Sequence, residues 1–218
     1  MIGKIEKRRR FRESTRALMM EHLPWPGAWR TSWGFPPTAP LILEVGCGKG
    51  EFAVYLAQRR PDALVIAIDR RADRLATGCA LAEKALISNV FFGQVDALIL
   101  ETLFAPGEID ILWLNYPDPY PKRRHEKHRL VHPRFIRQYQ QLLSVKGRLY
   151  FRTDAPFLYT YALERLRDAQ WIIYKATPDL QLGEGPAEAH FETEFRRRKG
   201  GTIHYIEAAP PQTTFLSE

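Results

Sequence analysis

Cysteine is scarce in this chain: Cys47 and Cys79 are the only two among 218 residues, and their spacing suits neither a metal site nor a disulfide framework. A reducing, cytoplasmic setting is therefore expected, and no metal. Long apolar runs are missing as well. Nothing approaches the roughly 18 consecutive apolar residues that a membrane-spanning helix needs. The opening residues, Met1 to Arg10, place four arginines and lysines next to one another with no apolar stretch behind them, so a secretory leader is not expected. Internal repeats and low-complexity segments are also lacking. With 45% hydrophobic residues, the chain has enough apolar material for one substantial core, and one domain with appendages is the expected organisation.

Positive charge is abundant and unevenly placed. The formal net charge is +7. Residues 1–16 carry a balance of +5, and residues 119–137 carry +6 through Lys122, Arg123, Arg124, Lys127, Arg129, Arg134 and Arg137 against Glu126. The remainder of the chain is acidic, at −4. Two concentrated basic patches on an acidic body point to a polyanionic partner.

Organisation follows from periodicity. Residues 1–20 form a basic arm, and residues 23–40 are broken by prolines that rule out a regular helix. Trp25, Trp29 and Trp33 in that strap either pin it to the domain or stack on bases. From Leu41 onward, short apolar runs alternate with amphipathic ones. Strands are expected at Leu41–Val45, Leu64–Ile68, Val90–Phe92, Ile109–Leu114 and Arg148–Phe151, then at about Trp171–Ala176 and Thr202–Ala208. Helices are expected at Glu51–Arg59, Ala72–Leu86, Ala97–Phe104, Pro133–Leu143 and Pro156–Asp168. Such alternation means an α/β fold with a mostly parallel sheet covered on both faces. Residues 177–201 make a loop too long for an ordinary connection, and loops of that length are often functional. The division expected is an arm and strap over 1–40, a domain over 41–209 and a tail over 210–218.

The first strand runs into Gly46-Cys47-Gly48-Lys49-Gly50. Glycines there allow positive φ and close approach of a ligand to the backbone. The spacing differs from the fingerprint that packs against a dinucleotide pyrophosphate. Glu44 beside the loop would also repel a diphosphate, whereas a phosphate-free sulfonium cofactor tolerates it. Asp69 closes the second strand, placed to accept from ribose hydroxyls, and Asp96 follows the third, where adenine contacts are usual in such folds. Each acid could instead cap the helix after it, but three at successive strand ends favour a binding crevice. S-adenosylmethionine is the expected cofactor, with Glu44, Gly46, Gly48, Gly50, Asp69 and Asp96 as its candidate site.

Beyond the fourth strand lies Asn115-Tyr116-Pro117-Asp118-Pro119-Tyr120-Pro121-Lys122-Arg123-Arg124-His125. Prolines at alternate positions hold Asp118 and its tyrosines in place. Aromatic rings stack purines, a carboxylate accepts from guanine N1–H and N2–H, and cations hold phosphates.

Together these segments resemble the bacterial tRNA (guanine-N7-)-methyltransferase family. Further matches are Val131-His132-Pro133-Arg134-Phe135 and Thr153-Asp154. The resemblance spans roughly residues 41–207. It implies a Rossmann-like class I S-adenosylmethionine-dependent methyltransferase fold, with seven strands and an antiparallel last strand. It also implies tRNA as partner, methylated at guanine N7 in the variable loop (position 46). Asp118 would be the catalytic residue and would also line the cofactor site, and Lys122, Asp154 and Glu192 would be substrate contacts, with Arg123, Arg124 and Tyr120 beside them. One departure stands out. The family has Thr-x-x-Glu late in the chain, where this sequence reads Ala189-His190-Phe191-Glu192, followed by Glu194 and the cations Arg196 to Lys199. Three other readings stay open: methyl transfer to an exocyclic base nitrogen, a small-molecule methyltransferase, and a non-catalytic RNA-binding homologue.

Overall fold

The computed structural model describes residues 3–191 and 201–211. Its centre is an eight-stranded sheet built from β1 (Ala17–Leu18), β2 (Leu41–Val45), β3 (Leu64–Asp69), β4 (Val90–Gln94), β5 (Ile109–Asn115), β6 (Leu143–Thr153), β7 (Ile172–Thr177) and β8 (His204–Ala209). The order is β1-β4-β3-β2-β5-β6-β8-β7. The pairings from β1 through to β6 are parallel, and β8 runs antiparallel to both of its neighbours. The seven expected strands and the antiparallel last one are present. The eighth, β1, is two residues of the arm that pair with β4, too short to leave a periodic signal.

The helices are α1 (Lys4–Glu13), α2 (Trp29–Ser32), α3 (Glu51–Arg59), α4 (Ala72–Lys84), α5 (Leu100–Leu103), α6 (Pro133–Leu142) and α7 (Pro156–Asp168). Strand alternation sends Leu41, Leu43, Ile66 and Ile68 into a core shared with α6 and α7. Ile42, Val65 and Ala67 go to the opposite face, under α3 and α4. Both faces are dry, which is why these strands read as continuous apolar runs. The order of strand addition reverses about β2: the chain goes outward to β3 and β4 on one side and then returns to β5 on the other. The carboxyl ends of these strands open the crevice where parallel sheets take ligands.

The strap is pinned. Trp29 is buried, donates its indole N–H to the Leu103 carbonyl at 2.6 Å and stacks on Phe104. Trp33 packs on Phe91, with ring centroids 3.8 Å apart. Buried Glu108 accepts from the Gly27, Trp29 and Ala105 amides. Only Trp25 of the three strap tryptophans is exposed enough to meet a base, at 84%. Strand β6 starts five residues earlier than expected, directly after α6, because the register between Ile109 and Ile111 shifts and residues 144–147 bulge out of the pairing. Among the described residues, no helix is long and apolar enough to cross a membrane.

Candidate active site

A cavity of about 450 Å³ opens at the carboxyl edge of β2 to β5, within the size range of small-ligand sites. Gly46, Asp69, Asp96, Asp118 and Tyr120 all line it, so five of the expected residues converge. Asp69 and Asp96 are held by the backbone around them. Asp69 accepts from the Gly48 amide at 3.1 Å and the Arg71 amide at 2.9 Å. Asp96 caps the short helical turn after β4 by accepting from the Leu98 amide at 3.0 Å. Capping and lining, posed as alternatives by the sequence, are therefore combined in Asp96.

Other expected residues lie elsewhere. Glu44 is 2% exposed, does not line the cavity, and accepts from the Asn115 side-chain amide at 2.9 Å beneath it. Gly50 sits at φ 71° and starts α3. A Cβ there would come within 2.4 Å of the Phe92 ring, so its requirement is helix–sheet packing. Gly48 contributes its amide to Asp69 and also stands outside the lining. Lys122, Arg123, Arg124 and Asp154 are exposed and outside the cavity. Glu192, Glu194 and residues 196–199 lie outside the described residues.

The glycine loop fits a close-lying ligand. Gly46 has φ 77°, and a Cβ on it would sit 3.1 Å from Leu130 Cδ1, inside the cavity wall. The electrostatics fit a cation. Burial pushes the Cys47 thiol well above its ordinary value, and the Glu44 and Asp69 carboxylates add to that. Burial opposes either charge, and it is the field of the two carboxylates that favours a sulfonium over an anion. The residues present thus suit a phosphate-free, positively charged cofactor.

The loop carrying Asp118 is bent sharply at two places. Tyr116 has φ 47° and Tyr120 φ 46°, left-handed values that cost a non-glycine residue on the order of 1–2 kcal/mol each. Tertiary hydrogen bonds hold both: the Tyr116 amide donates to the Arg152 carbonyl at 2.8 Å, and Arg129 donates to the Tyr120 carbonyl at 3.1 Å. Arg129 was counted as part of the basic patch, but it is buried, with its guanidinium 4.5 Å from the Tyr161 ring centroid. It is a bracket for the loop and not a surface cation.

Cations line the same cavity beside the acids: Arg70, Arg71, Arg74, Lys127 and Arg134, with His128 among them. Desolvation by its neighbours holds the imidazole of exposed His128 below the usual histidine value, and Lys127, Arg134, His125 and Arg70 reinforce this by repelling a proton. The rings of Tyr120 and His128 lie 5.6 Å apart, with His125 at 6.4 Å from Tyr120. Sequence reasoning missed the arginines after β3. The signal available was the run Arg70-Arg71-Ala72-Asp73-Arg74 directly after the ribose-type acid.

Comparison with known proteins decides the family. A family model described as "Putative methyltransferase" matches residues 38–203. A tRNA (guanine-N(7)-)-methyltransferase of Halalkalibacterium halodurans is 35% identical over 187 residues, covering 84% of this chain and 84% of the relative. A second of that name, from Lactococcus lactis subsp. cremoris, is 36% identical, covering 84% and 87%. The chain belongs to the tRNA (guanine-N(7)-)-methyltransferase family. Its fold is that of the class I S-adenosylmethionine-dependent methyltransferases: the antibiotic-resistance methyltransferase Kmr superposes with a TM-score of 0.59 at 17% identity, covering 86% of this chain and 94% of that one.

Proposed function

We propose that this enzyme transfers the methyl group of S-adenosylmethionine to N7 of a guanine in tRNA, with the variable-loop guanine as target. The supporting observation is one cavity lined by carboxylates on strand ends together with a collar of cations. On this reading residues 41–209 are the catalytic domain, residues 1–40 a basic arm and strap, residues 210–218 a tail, and the setting is cytoplasmic.

When bound, the cofactor supplies an electrophilic methyl on a cationic sulfur. Asp69 is positioned to accept hydrogen bonds from vicinal ribose hydroxyls, and Asp96 to contact the adenine. Glu44 and Asp69 provide the negative field at the glycine loop, Glu44 from below without contact. Guanine N7 carries a lone pair and no proton, so no general base is needed before attack. Asp118, exposed at the mouth, accepts from the guanine edge and offsets the positive charge that develops on the base. Tyr120 with His125 and His128 offers rings for the purine, and alignment does most of the work. Lys122, Arg123 and Arg124, with the cavity's own cations, hold phosphates, and Asp154 and Glu192 stay candidate substrate contacts by resemblance.

The test is incubation with unmodified tRNA and methyl-labelled cofactor, followed by nucleoside mapping. Label in 7-methylguanosine supports the assignment. Label on an exocyclic nitrogen, or no transfer despite cofactor binding, overturns it.

A further inference from the structure

Arg152 is the most deeply buried cation among the described residues, with 1% of its surface exposed. Burying a guanidinium is costly unless its donors are matched, and these are matched on three sides. Its Nε donates to Asn115 Oδ1 at 2.8 Å, and one terminal nitrogen donates to the Ala189 carbonyl at 2.7 Å and the Phe191 carbonyl at 2.9 Å. The Phe52, Tyr116 and Trp113 rings surround it, their centroids 4.9, 5.2 and 5.5 Å from the guanidinium carbon. The same residue's carbonyl accepts the Tyr116 amide. Asn115 in turn donates to Glu44, so the buried positive and negative groups are joined through one amide.

Three segments therefore meet on one side chain: the carboxyl end of β5, which leads through Tyr116 and Pro117 into Asp118; the end of β6; and the turn Ala187–Phe191 of the long loop. We infer that Arg152 is a positioning residue for methyl transfer, which bolts the Asn115–Asp118 segment to the 187–191 turn and so sets the placement of Asp118. The left-handed Tyr116 gives the bolt a task, because a strained backbone persists only where its surroundings over-determine it. A planar fork can serve an amide oxygen and two carbonyls together, and a lysine ammonium at the end of a flexible stem cannot hold all three in one plane. Ala189 adds a reason particular to this chain. It is fully buried, has no side-chain hydroxyl to fix the turn, and is tied through its carbonyl.

This inference rests on the proposed role of Asp118, and a double-mutant cycle separates the two. Arg152→Lys, Asp118→Asn and the double variant would be assayed with unmodified tRNA, alongside S-adenosylhomocysteine calorimetry and amide hydrogen exchange. Arg152→Lys is expected to lower kcat roughly 10- to 100-fold. KM for tRNA and the S-adenosylhomocysteine Kd should stay within about threefold, and exchange should quicken only at Tyr116 and over 187–191. The double variant should be no slower than Asp118→Asn alone, because the two losses share one cause. Asn115→Ala, which removes one acceptor and leaves both carbonyls in place, should repeat the pattern at smaller size if Arg152→Lys does not fold. Turnover within twofold of the parent, losses that add across the cycle, or global destabilisation by both Arg152→Lys and Asn115→Ala overturn the inference. Near-normal turnover by Asp118→Asn alone refutes the reading of Asp118 instead.

Discussion

The two walls of the cavity are built by different means. On the acidic wall, Asp69 and Asp96 sit at strand ends, half-buried and held by backbone amides. On the basic wall, Arg70, Arg71, Arg74 and Lys127 are exposed side chains; the pair of Arg70 with Asp96 at 3.9 Å is open to solvent, and Arg71 reaches back to buried Asp73 at 2.8 Å. The first wall is pre-organised for a small cofactor, and the second is a screened field suited to a large polyanion. The contrast predicts that mutations on the acidic side act on geometry and those on the basic side act through salt-dependent affinity.

Asp118, at the junction of the walls, should show the largest effect. Asp118→Asn is expected to lower kcat by roughly 100-fold or more with little change in the unfolding temperature, since an exposed carboxylate contributes little to folding. Steady-state kinetics with tRNA decide this. Next comes Asp69→Asn. Loss of a carboxylate that orders the glycine loop and faces the cofactor should weaken S-adenosylhomocysteine binding by about 10-fold or more, or about 1.4 kcal/mol. The slope of log tRNA affinity against log salt should not change. If that slope did fall with Asp69, the division of labour would fail.

Smaller effects test the other wall. Arg74→Gln and Lys127→Gln should each weaken tRNA binding several-fold and reduce the salt slope by about one, leaving calorimetry with the cofactor product unchanged. The least effect belongs to His128. Its folded-state value lies below that of an ordinary histidine, through desolvation first and then the cations around it. As pH falls through that lowered value the ring gains a charge. Protonation then opposes folding locally, while adding one positive charge to the wall. Binding of tRNA should therefore strengthen slightly at the acid end, and His128→Gln should remove that increment. A flat profile in the parent protein would show that the ring does not face the RNA.

Much of the acidic wall was legible because its signals are local. Alternating apolar runs mark β2 to β5, and the residue ending each run falls at the same sheet edge by topology alone. Glu44 shows the limit of that logic. It precedes the strand's last residue, and the pleat turns it under the floor toward Asn115. The basic wall was read as a count of charges, and counting cannot separate Arg129, buried against Tyr161, from Lys127, which lines the cavity. The strap tryptophans show the same gap, since neither proline spacing nor aromatic content tells Trp29 from exposed Trp25.

The amino-acid sequence alone determined the parallel α/β scaffold, the glycine turn after β2, the acids at strand ends and the rigid Pro-Asp-Pro segment. Each rests on periodicity or backbone restriction over a few neighbouring residues. Tertiary structure decided which charges face the cavity, that β1 extends the sheet, and that Arg152 joins three segments distant in the chain. Burial and hydrogen-bond partnership are properties of the assembled packing, where a cation's surroundings come from strands and loops tens of residues away.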